Sequence, residues 1–198
     1  MKKLTRDDLL SLEEYAEKRS QMRAEVMAHK KNRQVPLGPN ATLYFEDRLT
    51  VQYQVQEMLR AERIFERQGI EDELDAYNPL IPDGSNWKAT FMIEYPDPQE
   101  RKAALQKLIG IEDHVWVQID GFGRVYAIAD EDLERETEEK TSSVHFLRFE
   151  LSPEMVAAAG SGAAIHIGVD HPNYHYEVSP VPAEVRDSLV SDLESVSH

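Results

Sequence analysis

Apolar positions recur at helical spacing through the first third of the chain and at a spacing of two through most of the rest. Leu12, Tyr15, Arg19, Met22 and Val26 keep one helical register, as residues on a single stripe must. Two capping signatures precede them, Thr5 with Asp8 in a weak form and Ser11 with Glu14 in a stronger one. Pro36, Gly38 and Pro39 stop this helix and turn the chain into a strand over Thr42–Glu46. A second long helix is expected from Asp47 to Gln68, with Gly69 as its C-cap residue, and a shorter acidic one over Glu71–Ala76. In YNPLIPDGSN, residues 77–86, Pro-Asp-Gly marks a turn, and Leu80 and Ile81 are expected to plug a core edge rather than to form a lid.

From Trp87 onward the period is two. Ala89, Phe91, Ile93 and Tyr95 alternate with polar neighbours, and a helix follows over Pro98–Ile109. Val115, Val117 and Ile119 then form one arm of a hairpin that turns at Gly121-Phe122-Gly123 and returns through Val125, Ala127 and Ala129. The run DEDLERETEEK, residues 130–140, reads as a solvated helix or loop. Strands are expected over Ser143–Leu151, Ala163–Asp170 and Tyr174–Val178, with a short helix Pro153–Ala159 between the first two and an amphipathic helix after Pro182. The pattern predicts an α+β protein with about six strands in a largely antiparallel or mixed sheet and long helices packed on one face. One domain over residues 1–198 is expected, made of a helical segment 1–35 and a helix-plus-sheet body 36–198, with a frayed tail at 194–198.

Composition narrows the chemistry by exclusion. Cysteine is absent, so disulfides, thiolate catalysis and iron–sulfur ligation have no donor. No apolar run reaches the roughly 18 residues that suggest a membrane span, and the acidic N-terminal region is unlike a secretory signal. A cytoplasmic protein without a membrane partner is expected. Residues 1–70 carry 13 Lys and Arg against 11 Asp and Glu, while the remainder carries 9 against 26. An acidic body of this kind repels phosphate backbones, so nucleic acid is not an expected partner. The basic cluster His29-Lys30-Lys31-Asn32-Arg33 reads foremost as a complement to a helix C-terminus.

Two groups of residues could carry chemistry. On the central helix Tyr53, Glu57, Arg60 and Ile64 fall on one stripe beside the apolar stripe of Val51, Val55, Met58 and Phe65. Tyr53, Glu57 and Arg60 either line a pocket or form ordinary intrahelical pairs, and Arg48 with Arg60 makes a small-anion module a third reading. Among the histidines, His145 shares a face with Leu147, Phe149 and Leu151 and so points inward, where both ring nitrogens need partners. If the last two strands pair as a hairpin, His166 and His175 share its outer face, with Asp170 and His171 at the turn. A divalent metal is the cofactor that such a His/Asp set would take, and satisfied structural histidines are the competing reading. Helical Glu-x-x-His pairs, dinucleotide loops, nucleophile elbows and phosphate loops are absent from the sequence.

The segments LTRDDLLSLEEY, AHKKNRQVPLGPNATLYFEDRLTVQYQVQEMLRAERIF, YNPLIPDGSNWKATFMIEY, EEKTSSVHFLRFEL and GVDHPNY resemble the bacterial domain of unknown function 3501 family over nearly the whole chain. The resemblance implies genes often placed beside rubrerythrin-type and iron–sulfur redox proteins, hence a link to redox or oxidative-stress metabolism. An accessory or binding protein with a redox partner protein is the expected function. The alternative is a metal- or cofactor-dependent enzyme whose His/Glu/Asp site lies between the central helix and the sheet.

Overall fold

Alternation decides the strands and capping decides the helices. The computed structural model describes residues 1–194, and the tail expected to fray falls outside them apart from Glu194. In chain order the elements are α1 (Leu12–Lys30), β1 (Gln34–Pro36), β2 (Ala41–Glu46), α2 (Arg48–Ala61), α3 (Arg67–Tyr77), β3 (Asn86–Ile93), α4 (Pro98–Lys107), β4 (Val115–Ile119), β5 (Val125–Tyr126), β6 (Ile128–Ala129), β7 (Val144–Glu150), α5 (Pro153–Gly160), β8 (Ile165–His171), β9 (Tyr174–Val178) and α6 (Ala183–Val190). The class is α+β. The strands are divided between two antiparallel sheets, in the orders β1-β2-β3-β7-β6 and β5-β4-β8-β9.

The returning arm of the expected hairpin is split between these sheets. Val125 and Tyr126 pair with β4, whereas Ile128 and Ala129 pair with β7. Ala127, whose amide donates to Val115 O at 2.9 Å, is the crossing point. The inner faces of both sheets share one core that includes Phe45, Trp87, Phe91, Phe149, Val117 and Ile167, with Val185 and Leu189 of α6 packed into it. A second apolar cluster, Val51, Val55, Leu59, Leu74 and Ile81 with Leu4, joins α2 and α3 to the N-terminal segment. Ile81 therefore does plug a core, and its neighbour Leu80 is half-buried beside it.

The Ser11–Glu14 capping box forms in both directions, whereas at Thr5 only the return bond is made, from Thr5 N–H to Asp8 Oδ2 at 2.7 Å. The central helix is shorter than the periodicity suggests. It ends at Ala61 because Arg63 adopts the left-handed conformation, with φ of 54°. Ile64 N–H then reaches back to Leu59 O at 2.8 Å and Arg63 N–H to Arg60 O at 3.3 Å, the paired bonds of a Schellman cap. Gly69, expected to end that helix, lies inside the first turn of α3.

The basic cluster at the end of α1 also differs from its sequence reading, because Arg33 is buried. Its Nη2 meets Asp192 Oδ2 at 2.5 Å and its Nη1 meets Asp192 Oδ1 at 3.2 Å. The remaining N–H groups donate to Phe45 O, Glu46 O and Ser188. Asp47, the N-cap of α2, lies 3.4 Å from Arg33 Nε and 2.5 Å from His29 Nε2. Burial pushes the Asp192 carboxyl up to about 6 against the downward pull of Arg33.

Two outcomes follow for stability. Arg33→Met is expected to destabilise the protein by about 3–5 kcal/mol, because it strands a buried carboxylate, whereas Arg33→Met with Asp192→Leu should recover most of that loss; urea denaturation of the two variants checks this. Arg63→Gly should stabilise by about 1 kcal/mol, since glycine adopts positive φ without the penalty of a Cβ. A lower unfolding midpoint for this exposed substitution would contradict the cap.

Candidate functional site

The outer face of the five-stranded sheet is only half covered. Alternation places Tyr44 and Glu46 of β2, Thr90 and Met92 of β3, and Val144 and Phe146 of β7 on that face, all of intermediate burial. Above them stand Lys30 of α1, Thr50, Val51 and Gln54 of α2, and Tyr77 and Leu80. Between the layers lies a cleft of about 390 Å³. Glu46 is fixed at its floor by two hydroxyl donors, Thr50 Oγ1 at 2.5 Å and Thr90 Oγ1 at 3.0 Å. No cation pairs with Glu46 among the described residues, and Lys30 likewise has no acidic partner there. The Lys30 ammonium sits 5.7 Å from the Tyr53 ring centroid.

The residues singled out on the central helix separate. Glu57 turns toward α1, where Arg19 Nε donates to its two oxygens at 3.0 and 3.3 Å. Burial opposes the Glu57 charge, but Arg19 and the neighbouring Tyr53 outweigh it and hold the carboxyl below its usual range. The buried Tyr15 faces the same carboxylate, and burial followed by that charge pushes its hydroxyl up to about 12. Arg60 is exposed. Arg48 lies at the other end of α2, paired with Asp8 at 2.9 Å and donating to Lys2 O. Tyr53 and Glu57 are thus neighbours, while Arg48 and Arg60 share no site.

The last two strands do pair as a hairpin, with Asp170 opposite His175. His166 lies four residues along the same strand from Asp170, or roughly 13 Å at the strand rise; its Nδ1 meets Ser179 Oγ at 2.7 Å. His171 is buried and fully used: Nε2 donates to Ile109 O at 2.8 Å, and Nδ1 accepts from Asn173 N–H at 3.1 Å. Asp170 is taken up by Tyr126 O–H at 2.5 Å, His114 Nδ1 at 3.0 Å and Arg124 Nη1 at 3.4 Å. Arg124 in turn stacks on Trp116, 3.9 Å from the ring centroid. His166, Asp170, His171 and His175 therefore do not converge on a point.

His145 points inward from β7 and is completely buried. Its Nδ1 lies 2.5 Å from Asp130 Oδ2. Its Nε2 faces Thr141 Oγ1 at 2.9 Å, Ser142 O at 3.0 Å and Glu112 Oε2 at 3.7 Å. Asp130 has φ of 51° and also accepts from Phe146 N–H at 2.9 Å. Burial, with Glu136 beside it, pushes the Glu112 carboxyl up to about 7. Glu112 and Asp130 are residues that sequence reasoning missed. Asp130 opens an acidic run and looks solvated, and only its place at a strand end, 15 residues before His145, hints otherwise.

Comparison with known proteins gives kinship without chemistry. Residues 3–193 match the family described as "Protein of unknown function (DUF3501)". A crystal structure at 1.90 Å of a novel protein of unknown function from Burkholderia pseudomallei K96243 is similar, with 54% identity and a TM-score of 0.93 over 98% of this chain and 100% of that one. No curated protein matches. Among the described residues no helix is long and apolar enough to cross a membrane.

The Asp170 network makes a pH-dependent prediction. Burial raises the carboxyl, but Tyr126, His114 and Arg124 together hold it below its ordinary value. A depressed carboxyl contributes stability above its unfolded pKa, about 3.9, and loses it as pH falls through the folded value. Asp170→Asn is therefore expected to lower the urea midpoint at neutral pH, with the difference from wild type closing below about pH 4. A difference independent of pH would contradict the assignment.

Proposed function

The chain belongs to the DUF3501 family, and on that premise we propose that it is a binding protein for a small organic molecule with an apolar body, a cationic nitrogen and an acidic group, in the manner of an apolar amino acid. The observation that carries this reading is the cleft over the half-covered sheet face, in which Glu46 and Lys30 stand without partners of opposite charge among the described residues. Two threonine hydroxyls hold the Glu46 carboxylate and leave it acceptor capacity for an ammonium group. Lys30 offers a counter-charge for an acid at the rim. Val51, Leu80, Met92, Val144 and Phe146 supply apolar lining between them. The volume falls at the low end of the usual range for ligand pockets, about 300–1,000 Å³, which suits a metabolite rather than a polymer.

A cytoplasmic setting and a redox partner protein belong to the same reading as its context. The acidic, largely exposed segment 131–139 is the surface on which such a partner would dock, through contacts that salt weakens.

Calorimetric titration with phenylalanine, leucine and tryptophan tests the ligand class, with phenethylamine and phenylpropionate as probes that each lack one charge. Saturable binding of at least one amino acid is expected, weaker binding of the single-charge analogues, and a loss of tenfold or more in Glu46→Gln. No saturation by any of the three amino acids with folded protein at millimolar concentration, or equal affinity in Glu46→Gln, would sink the proposal.

A further inference from the structure

The His145 group lies on the opposite side of the sheet from the cleft and is not used by the reading above. Its donor atoms are mixed. His145 offers an imidazole nitrogen, Glu112 a carboxylate oxygen, Ser142 a carbonyl oxygen and Thr141 a hydroxyl, the last three all within 3.7 Å of Nε2. The candidate ligand atoms of Glu112, Asp130 and His145 lie within 4.8 Å of one another. On the far side of the ring, Asp130 accepts from Nδ1. A carboxylate on one imidazole nitrogen fixes the tautomer and raises the basicity of the other, the usual support of a metal-bound histidine.

From this geometry we propose that His145 Nε2 and Glu112 hold a divalent cation of the manganese type, with Ser142 O and Thr141 Oγ1 as further oxygen donors and Asp130 orienting the imidazole. Several observations support the choice of ion. One nitrogen among hard oxygens, with no sulfur, lies between the preference of zinc for imidazole and that of magnesium for oxygen alone, where manganese fits both. Nδ1 is taken up by Asp130, which leaves Nε2 as the ring atom that faces the oxygen donors.

Two of the residues also face an open concavity. Glu112, Asp130, Asp132, Arg135 and Glu136 line an open concavity of about 460 Å³, and His145 lies behind Glu112 and Asp130 with no exposure. The field of these carboxylates favours a cation beside His145. Asp130 is held in position by Phe146 N–H and by Arg135 Nη1 at 3.1 Å. Its carboxylate therefore acts as a positioning group and not as a bridging ligand.

Manganese(II) binding by the full chain is the test, followed by calorimetry and by the paramagnetic broadening of the His145 ring signals in ¹⁵N-resolved spectra. About one site is expected, with the His145 resonances broadened before those of the other histidines. Glu112→Gln and Asp130→Asn keep the side-chain shapes; each is expected to weaken binding by about 10–100-fold, the usual cost of losing a supporting group, while circular dichroism remains that of the folded protein. His145→Gln should abolish site-specific binding, and if it fails to fold the two carboxylate variants decide the matter. No binding by folded wild type up to millimolar manganese, broadening centred on His114, His166 or His175, or affinity unchanged in both carboxylate variants would overturn the proposal.

Discussion

A single buried guanidinium sets the relation between the helices and the sheets. Arg33 leaves the C-terminal end of α1 and enters the protein where β2, the N-cap of α2 and the end of α6 meet. A buried charge of this kind is tolerated only when its donors are satisfied, and here backbone carbonyls of Phe45, Glu46 and Ser188 share the work with Asp192. The acceptors come from the end of β2 and from the end of α6, so the requirement ties α1, β2 and α6 together at once. Asp47 caps α2 through Thr50 N–H at 3.0 Å and leans on Arg33 and His29 with the same carboxylate. The start of α2 over the sheet is thereby set by electrostatics, and its later turns by the packing of Val51, Val55 and Leu59. Arg33 also lines the cleft. The opening between helix and sheet follows from how far this network holds α2 from β2.

Local patterns were legible where they specify local geometry. The strand Tyr174–Val178, the hairpin arm Val115–Ile119 and the Ser11–Glu14 capping box can be read residue by residue, since alternation and capping depend on neighbours only. The separation into two sheets was not legible, because alternation tells which face a residue takes and not which strand lies beside it. Val125, Ala127 and Ala129 alternate as one strand would, yet Ala127 carries the chain from one sheet to the other. The end of α2 was hidden for a different reason: a Schellman cap usually announces itself with glycine, and here arginine fills the left-handed position. Of the site residues, Arg33 was concealed in a basic run because its partner lies 159 residues away. Asp130 was concealed in an acidic run for the same kind of reason. A charge run looks solvated until the fold removes one member from water.

The strand β7 gives the two candidate sites a common frame. Its alternation sends His145 into the space between the sheets and its neighbours Val144 and Phe146 onto the floor of the cleft. Asp130 touches both sides of this division. One of its oxygens meets the His145 ring, and the other accepts from the amide of Phe146. Arg135 binds that second oxygen and lays its guanidinium 4.6 Å from the Phe146 ring centroid. Asp130 thus contacts the buried imidazole directly and the aromatic floor of the cleft through one backbone bond and one stacked cation. Strands are stiff, and a side chain on one face cannot move far without its backbone. The arrangement places a buried imidazole and an open cleft within one residue of each other, on opposite faces of one strand.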